Sequence, residues 1–203
     1  MVEKSLWTRT VEQNPAHSAW YIERFKAMAA AGKDLHGEAR TIDAMVARGS
    51  RILDAGCGPG RVGGELAARG HQVVGVDVDP VLIAEAVSVF PDATWLVQDL
   101  AELDLPAAGV PTGFDAIVAA GNVMTFLAPS TRELVLRNLG AVLAADGRLV
   151  IGFGVGRGYP SEEFFHDAER AGLALQVALA TWDLRPWTPE SDFLVAILGR
   201  AGR

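Results

Sequence analysis

The stretch Leu53-Asp54-Ala55-Gly56-Cys57-Gly58-Pro59-Gly60 admits few folds. A strand-forming run, Arg51 to Ala55, leads into it, and a helical run ending near Arg69 leads out. Three glycines at alternate positions strip the loop of side chains, so the backbone can take positive φ and a ligand can touch it directly. A helix that starts after Gly60 aims unpaired N–H groups, with partial positive charge, at the same point. Strand, bare loop and helix in that order describe a binding turn at the carboxyl edge of an open parallel sheet.

The remaining sequence supports such a sheet. Gln72 to Asp77 is a nearly continuous apolar run, as expected of a parallel strand covered on both faces. Pro80 opens a helix over Val81 to Val89, and strands follow at Thr94 to Val97 and Phe114 to Ala119. Thr131 to Ala144 reads as a helix, Ala145-Asp146-Gly147 as a turn and Arg148 to Phe153 as a fifth strand. Ser161 is placed to cap a helix that ends at Gly172. The last two strands, Ala174 to Trp182 and Asp192 to Leu198, have no room for a crossover helix between them and must pair antiparallel. The fold class is therefore α/β: a three-layer, doubly wound, mostly parallel seven-stranded sheet with a terminal antiparallel hairpin, Rossmann-like.

Ahead of this unit, Asn14 and Pro15 carry the signature of a helix start, with Trp20, Phe25 and Met28 at helical spacing and Gly32 as the stop. A second helix is expected over Gly37 to Ala47. The expected division is a helical cap segment at 1–36 and a ligand-binding domain at 37–203.

Composition narrows the function. With 18 basic and 25 acidic residues the chain carries a formal charge of −7, which disfavours a broad phosphate-backbone footprint, so no nucleic-acid partner is expected. Cys57 is the single cysteine and offers neither a disulfide nor a zinc pair, so no metal is expected. The first ten residues lack the apolar core of a secretory signal and no apolar run approaches ~18 residues. A cytoplasmic protein without a membrane partner is the expectation.

Two further acids stand where ligand chemistry needs them. Asp77 ends the second strand, 21 residues beyond Gly56, where a carboxylate can accept from both hydroxyls of a ribose. Asp99 follows the third strand, where it can accept from an exocyclic amine, with Val78 and Leu100 offering apolar contact to a flat base. Each acid also has a plain structural use: Asp77 can cap the helix at Pro80, and Asp99 a short helix through Leu103. Gly58-Pro59-Gly60-Arg61-Val62-Gly63 matches the dinucleotide fingerprint G-x-G-x-x-G as well. Against a dinucleotide stand the charge of Asp54 beside the loop, the missing N–H of Pro59 and the antiparallel hairpin.

Taken together, Ile52 to Gly60, Val74-Gly75-Val76-Asp77, Gln98-Asp99-Leu100, Phe114 to Val118 and Gly147 to Ile151 resemble the class I S-adenosylmethionine-dependent methyltransferases, in the family's order and spacing. The resemblance implies the sheet order 3-2-1-4-5-7-6 and S-adenosylmethionine as cofactor, with S-adenosylhomocysteine as product. It implies that Gly56, Gly58 and Gly60 line the methionine half, with Cys57 against it and Asp54 near the ammonium group. Asp77 would hold the ribose, Val78 and Leu100 the adenine faces, Asp99 the adenine amine, and Ala119 would offer its carbonyl to the amino group. Arg40 is the candidate for the cofactor carboxylate, or else a solvated helix residue.

Tyr21 and Asn122 are candidates for contact with the acceptor, although an aromatic residue on a helix also suits a core and an asparagine also suits a turn. Gly152 to Gly158 reads as a loop over the site. No catalytic residue is named, because a sulfonium methyl is already electrophilic and needs a base only when the acceptor must lose a proton. With no insertion large enough for a separate substrate domain, a small-molecule acceptor and a monomer or homodimer are expected. An NAD(P)-dependent oxidoreductase and a non-catalytic S-adenosylmethionine-binding protein are the competing readings.

Overall fold

The computed structural model describes residues 2–202, so Met1 and Arg203, the outermost residues of the two expected segments, lie outside the described residues. Seven strands form one sheet: β1 (Arg51–Ala55), β2 (Gln72–Asp77), β3 (Thr94–Val97), β4 (Phe114–Ala119), β5 (Leu143–Gly154), β6 (Leu173–Leu179) and β7 (Phe193–Arg200). Their order is β3-β2-β1-β4-β5-β7-β6. The pairs from β3 to β5 are parallel, while β7 runs antiparallel to both β5 and β6. This is the architecture the sequence implied.

Strand pleating sends neighbouring residues to opposite faces. Leu53, Ile117, Leu149 and Ile151 pack on one face with Val135, Leu136 and Leu139 of helix α7 (Arg132–Val142) and Phe164 of α8 (Ser161–Arg170). Ile52, Val73, Val118 and Val150 pack on the other with Ile42 of α3 (Gly37–Met45) and Leu66 of α4 (Arg61–Ala68). Ile52 and Leu53 are both fully buried, and each such side chain contributes roughly 1.5–3 kcal/mol of burial free energy. α5 (Pro80–Val89) follows β2 and begins at Pro80 as the sequence signals, but Asp79, not Asp77, caps it. α6 (Val123–Phe126) is a single turn after β4.

The N-terminal part differs from expectation. It holds two helices, α1 (Leu6–Gln13) and α2 (His17–Ala30). Ser5 caps α1 through its hydroxyl, 3.0 Å from the Thr8 N–H. Asn14 closes α1 instead of opening the next helix, its N–H donating to Thr10 O at 2.8 Å. Proline after asparagine marks a helix boundary in either direction; the apolar spacing of Trp7 and Val11 makes it an end.

Three smaller expectations also shift. Ser161 is the first residue inside α8 and makes no capping bond; Pro160 holds the cap position. Gly152 to Gly154 belong to β5 and pair with β7, so only the turn at 155–158 remains of the expected loop. The turn at Ala145-Asp146-Gly147 lies within a register shift of β5 against β4. No helix among the described residues is long and apolar enough to cross a membrane.

Candidate active site

The loop after β1 is fixed by its own backbone. Gly56, Gly58 and Gly60 have φ of 74°, 54° and 84°, the left-handed region that L side chains avoid. The N–H groups of Gly56 and Cys57 both donate to the Val76 carbonyl, at 2.8 and 3.0 Å, which ties the loop to β2. The glycines serve different ends. A Cβ on Gly56 would sit 2.5 Å from a methyl of Val123, and one on Gly60 would sit 2.9 Å from the Trp95 ring. Gly58 is the open one, with the Tyr21 ring 3.7 Å from its would-be Cβ.

Above this loop lies a cleft of about 880 Å³, the open solvent at its mouth included. Asp54, Gly56, Cys57 and Gly58 form its floor. Asp77, Val78, Asp99 and Leu100 form one wall, and Gly121, Val123 and Leu127 the other. Ser5 and Trp7 of the N-terminal segment, with Tyr21 and Phe25 of α2, form the roof.

The acids are held by backbone N–H groups. Asp54 is 2 % exposed, and one of its oxygens accepts from Gly63 N–H at 2.7 Å, in the first turn of α4. Burial outweighs that bond and pushes its carboxyl up to about 7. Asp77 accepts from Gly58 N–H at 2.8 Å and Asp79 N–H at 3.0 Å. Burial again dominates, and its carboxyl rises to about 6. Acids titrating near neutrality in a cleft are a mark of functional sites. Asp99 accepts from Ala101 N–H at 2.9 Å, capping a 3-10 turn over Leu100–Glu102, and lines the cleft as well. Its two sequence readings are compatible.

The structure thus brings together Tyr21, Asp54, Gly56, Cys57, Gly58, Asp77, Val78, Asp99 and Leu100. Four other residues singled out in the sequence lie off the cleft. Gly60 faces Trp95, Ala86 and Phe90. Ala119 is fully buried in β4, one residue short of Ala120, which does line the cleft. Asn122, at φ 68°, accepts from Gly154 N–H at 2.8 Å and so braces the end of β5. Arg40 pairs with Asp34 through two nitrogens, one at 2.9 Å, and stands half exposed outside the cleft.

Arg61 was not singled out, yet it lines the cleft. Its guanidinium grips Glu38 with two bonds of 2.8 and 2.6 Å, also reaches Leu35 O, and lies 5.4 Å from the centre of the Phe25 ring. The available signal was its place at the first position of the helix that follows the loop. Trp7 and Phe126 were missed too, and both line the cleft.

The donor set fits S-adenosylmethionine. Three carboxylates suit an ammonium, ribose hydroxyls and an adenine amine, one guanidinium suits a carboxylate, and two apolar side chains suit a flat base. A pyrophosphate would face Asp54 and Asp77 across a loop that lacks the Pro59 donor. A Rossmann-like sheet with an inserted antiparallel β7 and such a cleft defines the class I S-adenosylmethionine-binding fold.

Comparisons with known proteins give the family. The methyltransferase-domain family model matches residues 52–147. The crystal structure of a TehB-like S-adenosylmethionine-dependent methyltransferase from Corynebacterium glutamicum is 52 % identical, with a TM-score of 0.88 over 92 % of this chain and 100 % of that one. An uncharacterized methyltransferase of Mycobacterium tuberculosis is 35 % identical over 113 residues, 54 % of each chain. The magnesium-protoporphyrin O-methyltransferase of Rhodobacter capsulatus is 39 % identical over 97 residues, 45 % of this chain and 40 % of the relative. The matches thus span about half the length of these curated relatives, or less. This chain belongs to the S-adenosylmethionine-dependent methyltransferase family.

Proposed function

We propose that this member of the family transfers the methyl group of S-adenosylmethionine to a small-molecule acceptor, in a cleft roofed by α1 and α2. The observation that carries this reading is the convergence of Asp54, Asp77, Asp99 and Arg61 on one glycine-floored cleft. In this reading Asp54 faces the ammonium group and Arg61, not Arg40, the carboxylate. Asp77 accepts from the ribose hydroxyls, Asp99 accepts from the adenine amine, and Val78 and Leu100 flank the base. Gly56, Cys57 and Gly58 leave room for the methionine chain.

When bound, S-adenosylmethionine supplies a methyl carbon made electrophilic by its sulfonium. The chain's own part is to align and to dry the site. Trp7, Tyr21 and Phe25 exclude water from above. Burial raises the Tyr21 hydroxyl above its usual 10, so at neutral pH it stays protonated and acts as a hydrogen-bonding group that orients an acceptor. Acceptor size follows from the roof: α1 and α2 cover the cleft that a polymer would otherwise have to enter, and a charge of −7 repels polyanions. The helical segment at 1–36 serves as that cover, and 37–203 as the cofactor-binding domain.

Titration calorimetry with S-adenosylmethionine, S-adenosylhomocysteine and NADH tests the cofactor. Heat with the first two and none with the third is expected; the reverse sinks the reading. Incubation with a cell metabolite extract cleared of macromolecules should then yield S-adenosylhomocysteine. Yield only from the macromolecular fraction would refute the small acceptor.

A further inference from the structure

Asp79 is a helix cap that does more than capping requires. One oxygen accepts from Val81 N–H at 2.9 Å, which is the whole of the N-cap function. The other accepts from Trp7 Nε1–H of α1 at 2.9 Å and from the Ser18 hydroxyl of α2, residues 72 and 61 positions away in sequence. The carboxylate is 3 % exposed, a costly place for a charge that an exposed Asp or Ser cap would avoid. Its backbone N–H in turn donates to Asp77.

The two helices are also attached by apolar packing, to which Val11, Tyr21, Val78 and Phe126 add partly buried surface, and by Lys26 pairing with Glu85 of α5 at 2.9 Å. Trp7 and Ile22 meet Leu82 in a cluster separate from both main cores. Trp7 also has two faces of use: its N–H binds Asp79 while its ring lines the cleft, edge-on to Tyr21 at 5.2 Å and to Phe126 at 5.6 Å. A shift at Asp79 therefore moves the roof of the cleft.

We propose that Asp79 is a latch: it holds α1 and α2 closed over the cleft, and this positioning role sets how fast a nucleoside ligand leaves. The proposal rests on the cofactor reading above. Lifting the roof widens the exit and strips two donors from one buried carboxylate oxygen, so the latch slows dissociation more than it affects chemistry.

Asp79→Asn tests this, because its amide oxygen still caps α5 while its NH2 cannot accept from Trp7 or Ser18. Trp7→Phe removes the N–H and keeps a ring. The readout is the dissociation rate of S-adenosylhomocysteine by stopped flow. Each variant is expected to release it at least about tenfold faster, and the double variant no faster than Asp79→Asn, since Asp79→Asn already removes the one bond that Trp7→Phe removes. Leu198→Ala, in β7 and fully buried in the core but not lining the cleft, supplies a destabilised control that should keep the wild-type rate. Hydrogen exchange over residues 6–30 should slow on adding S-adenosylhomocysteine in the wild type and not in Asp79→Asn. Unchanged rates in both latch variants, or an equal rise in Leu198→Ala, would overturn the latch. Failure of the wild type to bind S-adenosylhomocysteine would instead overturn the cofactor reading, and the latch with it.

Discussion

Replacing Asp54 by Asn should make the ligand-free protein more stable, and increasingly so as pH rises. The side chains are nearly isosteric, and the amide oxygen of Asn can keep the 2.7 Å bond from Gly63 N–H. What changes is the charge. Burial pushes the Asp54 carboxyl from the ordinary 3.8 up to about 7, so folding favours its protonated form. The group then costs nothing below pH 3.8, and its penalty grows as pH rises toward 7, where it levels off. For one such carboxyl, linkage gives a penalty of about 2 kcal/mol at pH 5 and about 4 kcal/mol at pH 8. The stability gap between the variant and the wild type should therefore widen by about 2–3 kcal/mol across that interval, whatever fixed cost the amide carries. Urea denaturation of both proteins at pH 5, 6, 7 and 8 measures it. A gap that stays constant would show that Asp54 is charged at little cost in the folded protein, and that burial does not govern its titration. The same variant should bind S-adenosylmethionine at least about tenfold more weakly, since it has lost the charge proposed to face the ammonium group.

Other substitutions probe the remaining walls of the cleft. Gly56→Ala must hold φ near 74° and fit a Cβ 2.5 Å from Val123, a loss of about 2–4 kcal/mol by thermal melting; adding Val123→Ala should return the steric part only, and full recovery would show that φ is not strained. Asp77→Asn should weaken S-adenosylhomocysteine binding about tenfold or more by calorimetry, with an unchanged affinity refuting the ribose role. Arg61→Gln should likewise cost about tenfold in affinity while Arg40→Gln costs less than twofold, and the opposite ranking would restore Arg40 to the site.

The central strands were legible because physics leaves them little choice. β1, β2, β3 and β4 begin and end where their sequences suggested, because the inner strands read as apolar runs and the edge strand β3 is a short run rich in aromatic and β-branched residues. α1 was not legible. Its eight residues are amphipathic but short, and its place depends on Trp7 reaching Asp79, a contact no local pattern announces. The site divided in the same way. Asp54, Asp77 and Asp99 sit at strand ends, where register alone delivers them to the cleft. Arginines have long reach, and which of two lines a cleft turns on their partners: Asp34 draws Arg40 outward, while Glu38 holds Arg61 in. Gly60 looked like a ligand contact because sequence shows a missing side chain but not what fills the space, here Trp95 and Ala86.

The position of β7 governs when the sheet can be completed during synthesis. β5 and β6 share no hydrogen bonds; each waits for residues 193–200, which emerge from the ribosome after both. Until then the border of β5 at Leu149 to Gly154 is a bare row of amides and carbonyls beside apolar side chains, a template for pairing with other chains. The cofactor loop at 56–60 and its three acids are made much earlier, yet the sheet that carries them remains unsealed at that seam. Closing it is left to β7, the last strand among the described residues.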